Sequence, residues 1–206
     1  EIRFCDWSSD VCSSDLKNTN VLISGASIGG PALAYWLARQ GFAVTVVEKS
    51  PALRTGGQAV DFKGETHQIV LRRMGLLQEL LRHQTGGTDH QIVDADGREL
   101  AVIPGAFLGG DLEIKRGDLA RILYDASVAA DARYAFGDSI TSLTEAGGGV
   151  HVTFERRAPR TYDLVVGADG IHSNVRRLAF GPESDYVRFL DRKSTRLNSS
   201  HRTGSR

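Results

Sequence analysis

Residues 20–24, NVLIS, form an apolar run that ends at Gly25. A run this short, closed by glycine, predicts a strand buried on both faces. Residues 31–40, PALAYWLARQ, then place Leu33, Trp36 and Leu37 at helical spacing, with Pro31 in the first turn and Gly41 as the stop. Residues 42–47, FAVTVV, are rich in β-branched side chains and predict a second strand. Strand, glycine turn, helix and strand make a βαβ unit, which implies parallel strands and a right-handed crossover.

The pattern changes downstream. Residues 51–64 are glycine-rich, show neither period, and predict a loop. Residues 66–82 space Ile69, Val70, Met74, Leu77 and Leu80 as a helix, broken at Gly75. Residues 91–93 and 99–103 flank a turn at 94–97 and predict a hairpin. Residues 118–130 predict a helix with Leu119, Ile122 and Leu123 on one face. Residues 140–143, 150–154 and 162–166 predict strands, and 172–178 a short helix. This order predicts an α/β region with an inserted antiparallel sheet.

The two ends do not belong to the pattern. Residues 6–16, DWSSDVCSSDL, show no apolar period and no signal-peptide core. They can be encoded by DNA whose reverse complement reads DRKSTRLNSS, residues 191–200. Two ends of one protein have no physical reason to be complementary in this way. The DNA also resembles a common sequencing-library adapter. Residues 1–16 and 191–206 are therefore expected to be translated adapter, and 17–190 the native part, set by a sequencing read.

That expectation changes the composition. Both cysteines, Cys5 and Cys12, fall in the first segment, so 17–190 has neither a disulfide framework nor a thiolate metal site. The full chain has a formal net charge of +0, and the basic look of its C-terminus comes from Arg192, Lys193, Arg196, Arg202 and Arg206. A near-neutral chain offers no electrostatic case for nucleic acid. No apolar run is long enough to span a membrane, and a cytoplasmic location is expected. The histidines His67, His83, His90, His151 and His172 show no metal-ligand spacing.

Candidate chemistry lies in two glycine clusters. The first, Gly25-Ala-Ser27-Ile-Gly29-Gly30, follows G-x-G-x-x-G except for Ser27 in the middle place. Gly25 allows the tight turn and Gly30 close helix packing, and the helix start offers free N–H groups and a positive dipole end to a pyrophosphate. Glu48 ends the second strand about 20 residues on, where an acid accepts hydrogen bonds from an adenosine ribose; Lys49 follows it. Loop, helix, strand and acid together predict dinucleotide binding. The second cluster is DLVVGADGIHSNVRR, residues 163–177: a strand, then Asp169-Gly170, then a helix. Ser173 near that helix start reads as a cap rather than a nucleophile, since no G-x-S-x-G elbow surrounds it.

The pair of clusters resembles the flavin signatures of p-hydroxybenzoate-hydroxylase-type FAD monooxygenases. GGQAVDFKG (56–64) and KRGDLARIL (115–123) are similar to segments of tetracycline-inactivating flavin monooxygenases. The resemblance covers nearly all of 17–190. It implies a truncated α/β chain: a Rossmann-like FAD-binding domain of the glutathione-reductase type with inserted antiparallel substrate-domain strands, starting at about 90–104. It implies FAD contacts from Asp169, Gly170, Asp61 and Arg116, and, near Arg54, a contact for the reducing nucleotide. It implies reduction by NAD(P)H, reaction with O₂, and transfer of one oxygen to an organic, often aromatic, substrate. The cofactor supplies the hard chemistry, so no catalytic residue is assigned. Relatives carry a third motif, Gly-Asp followed by alanine and histidine, with no match in this chain. The chain by itself is therefore expected to be inactive. Another FAD oxidoreductase of the same fold, a reductase or halogenase, or a nucleotide-binding module without chemistry, would share these motifs. Neither substrate nor oligomeric state is legible.

Overall fold

The computed structural model of the chain describes residues 19–86, 89–105 and 111–185. The segments 1–16 and 191–206, read above as adapter, lie outside the described residues.

The predicted βαβ unit forms. β1 (Asn20–Ser24) runs parallel to β2 (Ala43–Glu48), with α1 (Gly29–Arg39) between them. Val21, Leu22 and Ile23 are all fully buried. The period-two geometry of a strand explains why. Val21 and Ile23 pack with Val44 and Val46 among Ala34, Leu33 and Leu37 of α1. Leu22 points the other way and joins Val47, Val152, Tyr162 and Val175. Both faces of β1 are therefore covered, so its sequence reads as an unbroken apolar run.

Residues 51–64 are not all loop. Ala59–Phe62 forms β3, antiparallel to β6 (Leu112–Lys115), a strand the pattern did not show. The break at Gly75 divides the predicted helix into α2 (Glu65–Met74) and α3 (Leu77–Arg82), and Gly75 takes the left-handed cap at φ 73°. β4 (His90–Val93) and β5 (Glu99–Ile103) pair as the expected hairpin, with the Asp94 carboxylate accepting from the N–H groups of Asp96 and Arg98 in its turn. α4 (Arg116–Ala129) lies against α1, where Leu119, Ile122 and Leu123 share a core with Tyr35, Leu71, Met74 and Leu80.

β7 (Arg133–Phe136) was also missed; it pairs parallel to β2. β8 (Ile140–Ala146) and β9 (Gly149–Phe154) follow as an antiparallel pair. The single strand expected at 162–166 is two. β10 (Arg160–Tyr162) extends the antiparallel sheet on β9, and β11 (Leu164–Gly167) joins β1 in the parallel one. Asp163 makes the change of sheet, where its carboxylate accepts from Asn20 N–H and its own N–H donates to Asn20 O. The parallel sheet has the order β11-β1-β2-β7, and the antiparallel sheet the order β10-β9-β8. The antiparallel sheet covers one face of the parallel sheet and α1 the other. α5 (Asn174–Phe180) follows β11.

β7 is tied to α4 by a polar contact inside an aromatic cluster. The Tyr134 hydroxyl meets Ser127 Oγ at 2.6 Å, with Tyr124 and Phe136 packed on its ring. Burial pushes the Tyr134 phenol up to about 12, outweighing the opposing effect of the Ser127 hydrogen bond. The folded protein therefore favours the neutral phenol. Its contribution to stability is complete below the unfolded pKa of about 10 and is lost as pH rises through the folded value. Urea melts at pH 8 to 11 should show stability falling above pH 10 in the native chain and a shallower fall in Tyr134→Phe. Equal slopes would rule this origin out.

Candidate functional site

Ser24, Glu48 and Gly167 stand at the carboxyl ends of three neighbouring parallel strands. A cavity of about 700 Å³ opens there, lined by Gly25, Ser27, Glu48, Arg116, Asp169 and Gly170 among others. This is where open parallel sheets bind ligands, because helix starts and loop N–H groups converge there.

The glycine turn is built by contact as much as by conformation. Gly25 takes φ 107°, and its N–H donates to Val47 O at 2.8 Å. A Cβ on Gly25 would lie 2.5 Å from Ala168 O. A Cβ on Gly30 would lie 1.9 Å from Gly25 O. Those two glycines hold the turn, α1 and the β11 loop together. Gly29 is different, since an added Cβ there meets nothing. The first-turn N–H groups of α1 have no acceptor inside the helix, which suits the end of α1 to an anion.

Ser27 departs from the glycine fingerprint without strain, because among the described residues only Asp131 has a positive φ outside glycine. Its Oγ accepts a hydrogen bond from Arg116 Nη2 at 2.8 Å. Arg116 opens α4, where the dipole disfavours a cation, and other contacts hold it. Its N–H donates to Gln58 O, and its side-chain stem packs on the backbone of Gly57. Next to it, a Cβ on Gly117 would lie 2.2 Å from Thr55 O, so the 55–58 segment is pressed against the start of α4.

Glu48 is fixed by two backbone donors. Ala26 N–H donates to Oε2 at 2.8 Å and Ser50 N–H to Oε1 at 2.9 Å. An ionised carboxylate has about four acceptor positions, so it can still accept from two hydroxyls. Lys49 and Arg54 also line the cavity, both exposed. Arg54 additionally borders a smaller hollow of about 100 Å³ beside Gly117 and Asp118.

Asp169 lines the cavity, and its carboxylate is held from several sides. Its carboxylate accepts from Ser173 Oγ at 2.6 Å, Asn174 N–H at 2.8 Å, Val175 N–H at 3.0 Å and Ser24 Oγ at 3.4 Å. It anchors the start of α5 to β1, and Ser173 is the N-cap, its Oγ accepting from Arg176 N–H. Asp61 is exposed on β3 opposite Glu113 and does not line the cavity. Among the described residues no group of three His, Cys, Asp or Glu side chains gathers as a metal site.

Sequence reasoning missed one wall. Asp138, Ser139, Ile140 and Thr141 line the cavity beyond Glu48. Asp138 N–H donates to Glu48 O, and its Oδ1 accepts from the N–H groups of Ser139 and Arg156. The signal was present in Arg-Tyr-Ala-Phe, residues 133–136, whose alternating aromatics favour a strand.

A crowded glycine turn, a helix start that offers N–H groups and a pinned acid at the end of the second strand fit an adenosine, a pyrophosphate and the start of a longer ligand. They define a dinucleotide-binding α/β domain. The family is narrower still: residues 18–184 match the FAD binding domain family, and the chain belongs to it. An "Uncharacterized protein" of Mycobacterium tuberculosis is 48% identical over 176 residues, covering 82% of this chain and 47% of the relative. A "Flavin-dependent monooxygenase" of Legionella longbeachae is 38% identical over 169 residues, covering 80% of this chain and 42% of the relative. The crystal structure of tetracycline destructase Tet(51) superposes with a TM-score of 0.71 at 37% identity, covering 80% of this chain and 43% of that one. The chain thus spans less than half the length of these relatives. No helix among the described residues is long and apolar enough to cross a membrane.

Proposed function

We propose that this chain is the FAD-binding part of an FAD-dependent monooxygenase that uses NAD(P)H and O₂ to hydroxylate an organic, aromatic substrate. The observation that carries the reading is the pinned Glu48 beside the Gly25–Gly30 turn at one cavity. Glu48 accepts from the adenosine ribose, and the α1 start faces the pyrophosphate, with Ser27 and Arg116 beside it. Asp169 shapes the site through α5, and Gly170 lines the cavity next to it. Arg54, exposed at the rim, is the candidate for the reducing nucleotide. Bound FAD supplies the electron transfer and oxygen chemistry; the chain binds and orients it. Relatives that bear the name monooxygenase support the reaction class.

The β4–β5 hairpin is the start of the substrate sheet. It exposes Ile92, Val93, Leu100 and Val102, more apolar surface than an isolated hairpin in water keeps. Residues 17–190 by themselves bind FAD without turning over substrate. A cytoplasmic location belongs to the same proposal; no helix among the described residues is of membrane length.

Fluorescence titration of the chain with FAD tests the reading, with oxygen consumption under NADPH as the second measurement. Saturable binding with no NADPH-dependent uptake is expected. Glu48→Gln should weaken FAD about tenfold or more, because hydrogen bonds to a charged acceptor become bonds to a neutral amide. No binding by the native chain would overturn the proposal.

A further inference from the structure

Ser27 holds the place in the fingerprint where glycine normally lets a ligand approach. Its hydroxyl is nevertheless engaged, 89 residues away in sequence, by Arg116. The Arg116 stem lies against Gly57 and its backbone N–H donates to Gln58 O, so its base is fixed and Ser27 holds its far end. Both side chains line the cavity that Glu48 borders. A hydroxyl that accepts from a guanidinium keeps one hydrogen to donate.

We propose that Ser27 is a positioning residue: its Oγ fixes the Arg116 guanidinium at the mouth of the glycine turn and turns its own O–H toward the dinucleotide pyrophosphate. Serine in this chain thus replaces the open approach of glycine with a two-part anion clamp, one fixed cation and one hydroxyl. A pre-oriented arginine loses less freedom on binding than a mobile one, so the clamp raises affinity by preorganisation. The inference rests on the FAD reading above and adds a role that the glycine fingerprint would not grant to serine.

The consequence runs against the consensus. Ser27→Gly, which completes G-x-G-x-x-G, should weaken FAD rather than strengthen it. FAD titrations of the full chain should show Kd raised about tenfold in Ser27→Gly and Ser27→Ala, and within about twofold of native in Ser27→Thr, which keeps the hydroxyl. In an Arg116→Gln background, Ser27→Ala should cost clearly less than in the native chain, because only the hydroxyl's own contact is left to lose, the mark of coupled residues. Thermal melts check folding, and if Ser27→Gly does not fold, the Ala, Thr and Arg116→Gln proteins carry the test. Native or tighter affinity in Ser27→Gly, an equal loss in Ser27→Thr, or a full Ser27→Ala loss without Arg116 would each overturn the clamp. Absence of FAD binding in the native chain would remove it together with the FAD reading; binding without these differences would remove the clamp alone.

Discussion

Gly30→Ala is expected to destabilise the whole domain, not merely to weaken its ligand. The added Cβ would sit 1.9 Å from the backbone oxygen of Gly25, and behind it 3.5 Å from Ile23 Cγ2. The Gly25 oxygen belongs to the backbone and cannot rotate away, while Ile23 stands at ordinary contact distance. Gly25 is held by its N–H bond to Val47 O and by the close approach of Ala168. Relief therefore requires α1 to move off β1, which opens the core of Val21, Ile23, Ala34, Val44 and Val46. Overpacking of this kind costs about 3 kcal/mol, and backbone-on-backbone contact puts this case at the upper end. Urea denaturation should show the loss without any FAD present. Gly29→Ala is the control: its Cβ meets nothing, so stability should stay within about 0.5 kcal/mol of native. A Gly30→Ala chain as stable as the control would show that the turn is looser than its contacts indicate.

Asp169→Ala is the second large effect. Removing the carboxylate leaves Asn174 N–H, Val175 N–H and the Ser173 hydroxyl without their acceptor at the start of α5. Loss of a charged acceptor from part-buried donors costs about 2–3 kcal/mol. α5 carries Val175, which packs with Leu22, Val47 and Val152, so the damage reaches the centre of the fold. Asp169→Asn keeps one acceptor oxygen and should lose less. Both losses should appear equally with and without FAD. If Asp169→Ala keeps native stability and loses only FAD affinity, Asp169 is a ligand contact and the capping account fails.

The contrast between these residues shows how far the sequence could be read. Gly25 and Gly30 announced themselves because a glycine fingerprint is a local matter: one strand, one turn and one helix start, all within a few residues. Glu48 was equally legible, since its place depends only on where the second strand ends. Asp169 was also found, but the donors that surround its carboxylate were not legible. Whether a carboxylate faces a ligand or caps a helix depends on which donors surround it, and Ser24 is 145 residues away. β3 and β6 were missed because four-residue strands within glycine-rich or short polar stretches carry too little period to read. β7 went the same way, and with it the Asp138–Thr141 wall.

The sequence by itself determined the parallel βαβ core, the turn that only glycine can make, and the acid at the end of β2. Each follows from backbone sterics and from apolar periodicity over a single element. Only the tertiary structure decided that one run at 160–167 serves two sheets, that Asp61 stands away from the cavity, and that Ser27 is held by Arg116. Those outcomes depend on which surfaces meet across long stretches of chain. The free energy of burial and hydrogen bonding sets that choice, and it acts between residues whose distance in sequence carries no signal of their contact.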